Sequence, residues 1–192
     1  TIAWYENEPG TNNPTWTVAH RITTTAMRAS SVAAADLDGD QDIDVLSSSE
    51  NDNTIAWYEN DSSSTPPAWQ KRVISSAEVK ARHVFAADLD GDDDIDVLSA
   101  AWRSNTVVWY ENDGGTPPEF ARHVISEVAA GAYSVNVADL DGDLILDVMS
   151  ASSQRDTVEW YPHFCQTPVP AASSTPPTSA PTPLPSPVPT AN

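Results

Sequence analysis

Three short segments of this chain carry aspartate at a spacing that suits a hard cation: DLDGDQDID at 36–44, DLDGDDDID at 88–96 and DLDGDLILD at 139–147. In each, carboxylates stand at positions 1, 3, 5 and 9, and glycine stands at position 4. A loop bent at that glycine turns the oxygens of Asp36, Asp38, Asp40 and Asp44 inward. The same bend gathers Asp88, Asp90, Asp92 and Asp96, and again Asp139, Asp141, Asp143 and Asp147. The backbone carbonyl at position 7, from Asp42, Asp94 and Ile145, adds another oxygen. Water then completes the roughly six to eight hard ligands that Ca²⁺ takes, whereas Mg²⁺ prefers to keep its waters and rarely accepts an all-protein cage. The loops are not EF-hands, which need glycine at position 6 and a bidentate glutamate at position 12; position 12 here is Ser47, Ser99 or Ser150. The expectation is therefore about three Ca²⁺ per chain. The loops hold 15 of the 28 acidic residues, and three divalent ions would bring the formal net charge from −19 to −13.

Little else in the sequence points to reaction chemistry. Paired carboxylates can serve hydrolases, but every close acidic cluster already belongs to a cation loop. No Ser, Cys or His stands in a nucleophile motif such as G-x-S-x-G, so the chain reads as a non-enzyme. The Trp-Tyr pair that recurs along the chain reads as core, since alternate residues of a strand fill the two faces of a sheet. Trp102 differs, because its counterparts are Glu50 and Ser153 and no repeated slot demands an aromatic there. With the adjacent Arg103 it is the candidate contact for a glycan or a protein partner. Asn60 heads the only acceptable N-glycosylation sequon. Thr167, Ser173, Ser174, Thr175, Thr178, Ser179, Thr182, Ser186 and Thr190 lie among prolines and suit O-glycosylation.

The elements that must position these residues are copies of one unit. TIAWYEN at 1–7 returns at 54–60, as TVVWYEN at 106–112 and as TVEWYPH at 157–163. The aspartate loops and a third phrase (WTVAHRI at 16–22, WQKRVIS at 69–75, FARHVIS at 120–126) drift in step, giving a repeat of about 52 residues. Each unit reads as four short strands with period-2 alternation and β-branched or aromatic residues. Pro-Pro at 66–67 and 117–118 punctuates the third-to-fourth connection. Four antiparallel strands per unit is the arithmetic of a propeller blade. The predicted class is all-β, with 2 + 4 + 4 + 3 strands in about three blades that do not close as a single-chain ring, which normally takes about four to eight. The boundaries are a partial blade at 1–30, blades at 31–82 and 83–133, an incomplete blade at 134–165, and an extended Pro/Thr/Ser-rich tail at 166–192.

DLDGDxDIDVLSA followed by NTIAWYEN resembles the FG-GAP/VCBS-type repeat, related to the calcium-loop blades of the integrin α-subunit propeller. The resemblance covers about residues 1–164. It implies that the aspartates at positions 1, 3, 5 and 9 of each loop bind structural Ca²⁺ between the first two strands of a blade. The third loop departs from its siblings, with Leu144 and Ile145 where they have Gln41/Asp42 and Asp93/Asp94; the lower charge implies a weaker site. Blade number departs too, since propellers of the family usually have six or seven.

Composition sets the remaining bounds. Nine Lys plus Arg against 28 Asp plus Glu argues against nucleic acid and anionic membrane as partners. The single cysteine, Cys165, excludes an internal disulfide framework. No apolar run approaches the ~18 residues of a membrane span. The chain begins at Thr1 without an initiator Met or signal peptide and reads as a processed protein or a piece of a longer one. The functional expectation is a secreted or cell-surface, calcium-stabilised structural repeat. Its unfinished end units would assemble with other copies, by strand or blade complementation, into an oligomer or filament. The second expectation is a lectin- or adhesin-like module for glycans or proteins, or a fragment of a larger propeller.

Overall fold

The computed structural model describes residues 1–7 and 16–162. Among them are thirteen β-strands, all in antiparallel pairs. A half-blade consists of β1 (Ile2–Asn7) and β2 (Trp16–Thr23). The first full blade follows, with β3 (Ala29–Ala35), β4 (Asp44–Ser49), β5 (Thr54–Asp61) and β6 (Ala68–Ser75) in sequence order. The second repeats it with β7 (Ala81–Ala87), β8 (Asp96–Ala101), β9 (Thr106–Asn112) and β10 (Phe120–Ser126). The third blade has β11 (Ala132–Ala138), β12 (Asp147–Ser152) and β13 (Thr157–Tyr161). The sheets are open propeller-type blades, in the 2, 4, 4, 3 arrangement that the repeat arithmetic predicts.

Register is copied along with sequence. The second and third strands pair as Val45↔Tyr58, Val97↔Tyr110 and Val148↔Tyr161. Each first strand carries one irregularity at the same place, at Ala29/Ser31, Ala81/His83 and Ala132/Ser134. The Pro-Pro connections are equivalent as well, with cis peptides at Thr65–Pro66 and Thr116–Pro117.

Alternation along the third strand decides which side chain meets which neighbour. Ile55 and Trp57 point into the interface with the second blade, against Val84, Val97, Val108 and Tyr110. Tyr58 points the other way, against Ile2 and Ala26 of the half-blade segment. One step along, Val107 packs with Leu98 and Ala100 against Ala132, Val135 and Val148 of the third blade. Burying each large apolar side chain contributes about 1.5–3 kcal/mol, so stacking of blade on blade is what holds the molecule together. Among the described residues nothing gives the third blade such cover on its far face. Leu37 is 2 % and Leu89 5 % exposed, but Leu140 is 47 % exposed. Ile55 and Val107 are fully buried, whereas the equivalent Val158 is 79 % exposed.

Candidate metal centres

Each aspartate loop joins the first strand of a blade to the second, so three copies of one geometry hang from three equivalent hairpins. The loops turn through left-handed backbone at positions 4 and 6. Gly39, Gly91 and Gly142 have φ of 74°, 83° and 83°, and Gln41, Asp93 and Leu144 have φ of 75°, 74° and 71°. Position 1 holds the turn. Asp36 accepts the Gly39 N–H at 2.9 Å and the Gln41 N–H at 2.9 Å. Asp88 does the same for Gly91 and Asp93 at 2.7 and 3.1 Å, and Asp139 for Gly142 and Leu144 at 2.7 and 3.0 Å.

Position 9 is the buried anchor at the start of the second strand. Asp44 accepts the Leu37 N–H at 3.0 Å and the Asn60 N–H at 2.8 Å. Asp96 accepts those of Leu89 and Asn112 at 3.0 and 2.8 Å, and Asp147 accepts that of Leu140 at 2.9 Å. Burial pushes the Asp44 and Asp96 carboxyls up to about 6, against the pull of these N–H donors. The position-3 carboxyls of Asp38, Asp90 and Asp141 are raised as well, first by desolvation and then by neighbouring carboxylates.

Carboxylate oxygens converge at all three sites. One oxygen each from Asp36, Asp38 and Asp40 lies within 4.8 Å of the others, as do those of Asp88, Asp90 and Asp96, and of Asp139, Asp141 and Asp147. Positions 1 and 3 thus belong to every cluster, joined by position 5 in the first loop and by position 9 in the other two. Asp44, Asp92 and Asp143 stand outside those closest groups; Asp92 and Asp143 accept the N–H groups of Asp94 and Ile145 at 3.0 and 2.9 Å. The position-7 side chains turn elsewhere, as Asp42 shows by accepting the Ser62 hydroxyl at 2.7 Å.

The donor set fits calcium. All the donors are hard oxygens, and two ligands at the 2.3–2.6 Å typical of Ca²⁺ can stand up to about 5 Å apart across the ion. In the first loop, Asp38 Oδ1 is buried without a hydrogen-bond partner, a state that costs free energy unless something else satisfies the oxygen.

Comparison with protein families matches the FG-GAP-like repeat at residues 36–99 and again at 88–150, together more than half of the 192 residues. The chain belongs to the FG-GAP-like repeat family. FG-GAP-like repeats are structural and binding repeats, typically extracellular. A comparison with curated proteins found no match. Among the described residues no helix is long and apolar enough to cross a membrane.

In the two full FG-GAP-like blades the Trp-Tyr pair packs at the inter-blade interfaces, with Trp57, Tyr58 and Tyr110 buried and Trp109 half-buried, whereas Tyr5 and Trp160 of the end units are exposed and do not follow the core expectation. Sequence reading missed what the fourth strand brings to that tryptophan. His20 stacks on Trp4 at 4.2 Å, His123 lies over Trp109 at 4.7 Å, and Arg72 lies 5.6 Å from the Trp57 ring. Each also meets the glutamate two residues after its tryptophan: Glu6 at 3.3 Å, Glu111 at 2.6 Å and Glu59 at 2.5 Å. The recurring W-Y-E phrase and the basic residue of the fourth strand were the available signal.

Asn60 and Asn112 are a second omission. Their amides tie the end of the third strand to the metal loop, Asn60 donating to the Ile43 carbonyl at 3.0 Å and Asn112 to that of Ile95 at 3.0 Å. Asn112 also donates to the Leu37 carbonyl of the preceding blade at 2.9 Å. The sequon amide of Asn60 is therefore already engaged by the fold. Glu78 is a third. It is buried where the other copies place Ala26 and Ala129, and it accepts from Thr106 at 2.8 Å, Tyr110 at 3.0 Å and Arg122 at 2.9 Å. Trp102 is half-buried in a groove at the opposite end of the blades, while Arg103 is exposed beside it and does not line that groove. Cys165 and the tail positions Thr167, Ser173, Ser174, Thr175, Thr178, Ser179, Thr182, Ser186 and Thr190 lie outside the described residues.

Proposed function

We propose that this chain is a calcium-stabilised structural repeat of the extracellular space, whose open blade faces are covered by blades of a second copy in an oligomer or filament. The reading is carried by the pair of open faces, which are complementary in kind. At one end, Val158 and Trp160 of the third blade are exposed where the first and second blades bury Ile55, Trp57 and Val107. At the other, Tyr5 of the half-blade is 56 % exposed, whereas the equivalent Tyr58 and Tyr110 are 1 % exposed. Inside the chain these two kinds of face stack on each other; between copies the same stacking is a head-to-tail contact, which closes as a ring or runs on as a filament. The edge of β13 offers a further attachment. β5 and β9 each carry a fourth strand, and a WTVAHRI segment (16–22) from another copy has the matching pattern, taken in exchange for its pairing with its own β1. In this reading the carboxylates at positions 1, 3, 5 and 9 hold Ca²⁺, with the position-7 carbonyls of Asp42, Asp94 and Ile145 completing the shell. The bound charge would offset the mutual repulsion of 15 acidic residues in three turns.

Sedimentation of the full chain in calcium tests the assembly. The expected result is a species larger than the 20.6 kDa protomer, reduced to a protomer by Val158→Asp or Tyr5→Asp without loss of melting temperature. Both positions are exposed in the single chain, so neither change should unfold it. A full-length chain that sediments as a protomer would overturn the reading.

A further inference from the structure

Three of the chain's nine basic residues meet in one groove at the blade ends opposite the aspartate loops. Only nine residues are Lys or Arg, yet Arg28, Lys80 and Arg82 line this one groove of about 320 Å³ together with Glu50, Trp102 and Tyr133. The topology explains the separation. β3, β7 and β11 end at the metal loops and begin at the groove. A six- to seven-residue strand spans about 20 Å, more than twice the screening length of about 8 Å at physiological salt. The groove therefore has its own local field, whatever the net charge of the molecule.

We propose that this groove binds an acidic saccharide, with Trp102 against the sugar face and Lys80, Arg28 and Arg82 on its carboxylate or sulfate. Four features support this, independently of the assembly reading above. Arg82 is held in place beforehand: it pairs with the buried Glu50, bonds the Tyr133 hydroxyl and lies 4.2 Å from the centre of the Tyr133 ring. A guanidinium has about five N–H donors, so donors remain for a ligand. Glu50 itself is consumed by Arg82 and by Arg28 at 3.2 Å, leaving the groove with surplus positive charge.

Arg28 and Lys80 also occupy left-handed backbone, with φ of 57° and 59°, at the position where the third copy has Gly131 at 69°. That conformation costs a non-glycine residue about 1–2 kcal/mol, a cost that the third copy avoids with its glycine. Finally, Trp102 fills a slot that is Glu50 and Ser153 in the other copies, so blade packing does not require an aromatic there. Aromatic faces beside charged donors are the usual furniture of a carbohydrate site. A long polyanion such as nucleic acid would run from the groove onto the acidic remainder of the surface, and a short saccharide would not.

Calorimetric titration of the full chain in calcium, with trigalacturonate and with a carrageenan-derived tetrasaccharide that carries sulfate but no carboxylate, tests this against neutral maltotriose. At least one acidic sugar should bind ten-fold or more tightly than maltotriose, and comparison of the two identifies carboxylate or sulfate as the anion read. Trp102→Ala and Lys80→Gly should each weaken that binding ten-fold or more, while Arg103→Ala leaves it unchanged. Lys80→Gly should keep or raise the melting temperature, because it adopts the residue that the third copy uses, and so separates lost binding from lost fold. Equal affinity for acidic and neutral sugars, no binding of either acidic sugar, or full affinity in Lys80→Gly would overturn the proposal.

Discussion

Leu144 holds a backbone conformation that its own side chain opposes. It stands at position 6 of the third loop with φ of 71° and is 92 % exposed, so packing returns nothing for the strain. Left-handed backbone costs a non-glycine residue about 1–2 kcal/mol, and glycine's extra freedom in the unfolded chain takes back about 0.4–1 kcal/mol. Leu144→Gly should therefore raise stability by about 0.5–1 kcal/mol, or about 1–4 °C in melting temperature for a chain of this size. Leu144→Ala, which removes the exposed side chain but keeps the strain, should not. Thermal unfolding of the two variants in calcium separates the causes. An equal gain in both would show that exposure, not backbone, was the cost. Arg28 and Lys80 pay the same local penalty, and the contrast with Gly131 is what singles them out.

Among the elements, the end of the third strand does more than complete a sheet. Asn112 donates its amide to two carbonyls, the half-buried Ile95 in its own aspartate loop and the buried Leu37 in the loop of the preceding blade. Asn60 reaches only the Ile43 carbonyl, in a more exposed setting. Removing a partner from a buried carbonyl costs about 1–3 kcal/mol. Asn112→Ala should thus cost about 2–4 kcal/mol and weaken calcium at the first two loops together, although their aspartates are 52 residues apart in sequence. Asn60→Ala should cost less and weaken the first loop alone. Chemical denaturation and calcium titration of both variants check this; equal and purely local effects would show that the Leu37 contact couples nothing. The strand positions, the Trp-Tyr core and the loops were legible in the sequence. The cross-blade reach of Asn112 was not, because nothing in a repeated Asn says which of two blades its amide will meet.

At the scale of the whole molecule, stability should depend on calcium and pH together. In the metal-free chain the carboxyls of Asp44 and Asp96 are raised by burial to about 6. Their folded value lies above the unfolded value of about 3.9, so the proton favours the folded state. That contribution is fully present below pH ~4 and is lost as pH rises through ~6. On the proposed calcium reading the ion would need these groups ionised, so its stabilisation would run the other way and grow with pH. A site that binds calcium in the folded state alone would contribute about 2.7 kcal/mol at a hundred-fold excess of free calcium over Kd. Chelator should therefore lower the melting temperature markedly at pH 7.5 and much less at pH 5. A shift of equal size at both would disconnect the carboxyls from the metal, and no shift at either would remove calcium from the account.

The sequence alone determined the repeat, the thirteen strands and their 2, 4, 4, 3 grouping, and the three aspartate loops whose carboxylates converge. All of these depend on local features: period-2 alternation, turn residues and a ligand spacing contained within nine residues. Only the tertiary structure decided what the blades do to each other. It set His20, Arg72 and His123 against tryptophans, because antiparallel register places the fourth strand beside the third. It gathered Arg28, Glu50, Lys80, Arg82, Trp102 and Tyr133 into one groove, because equivalent ends of successive blades converge although these residues spread over three repeats. It also left Val158 in solvent while burying Ile55 and Val107 in the same slot, because burial belongs to the neighbouring blade and not to the residue.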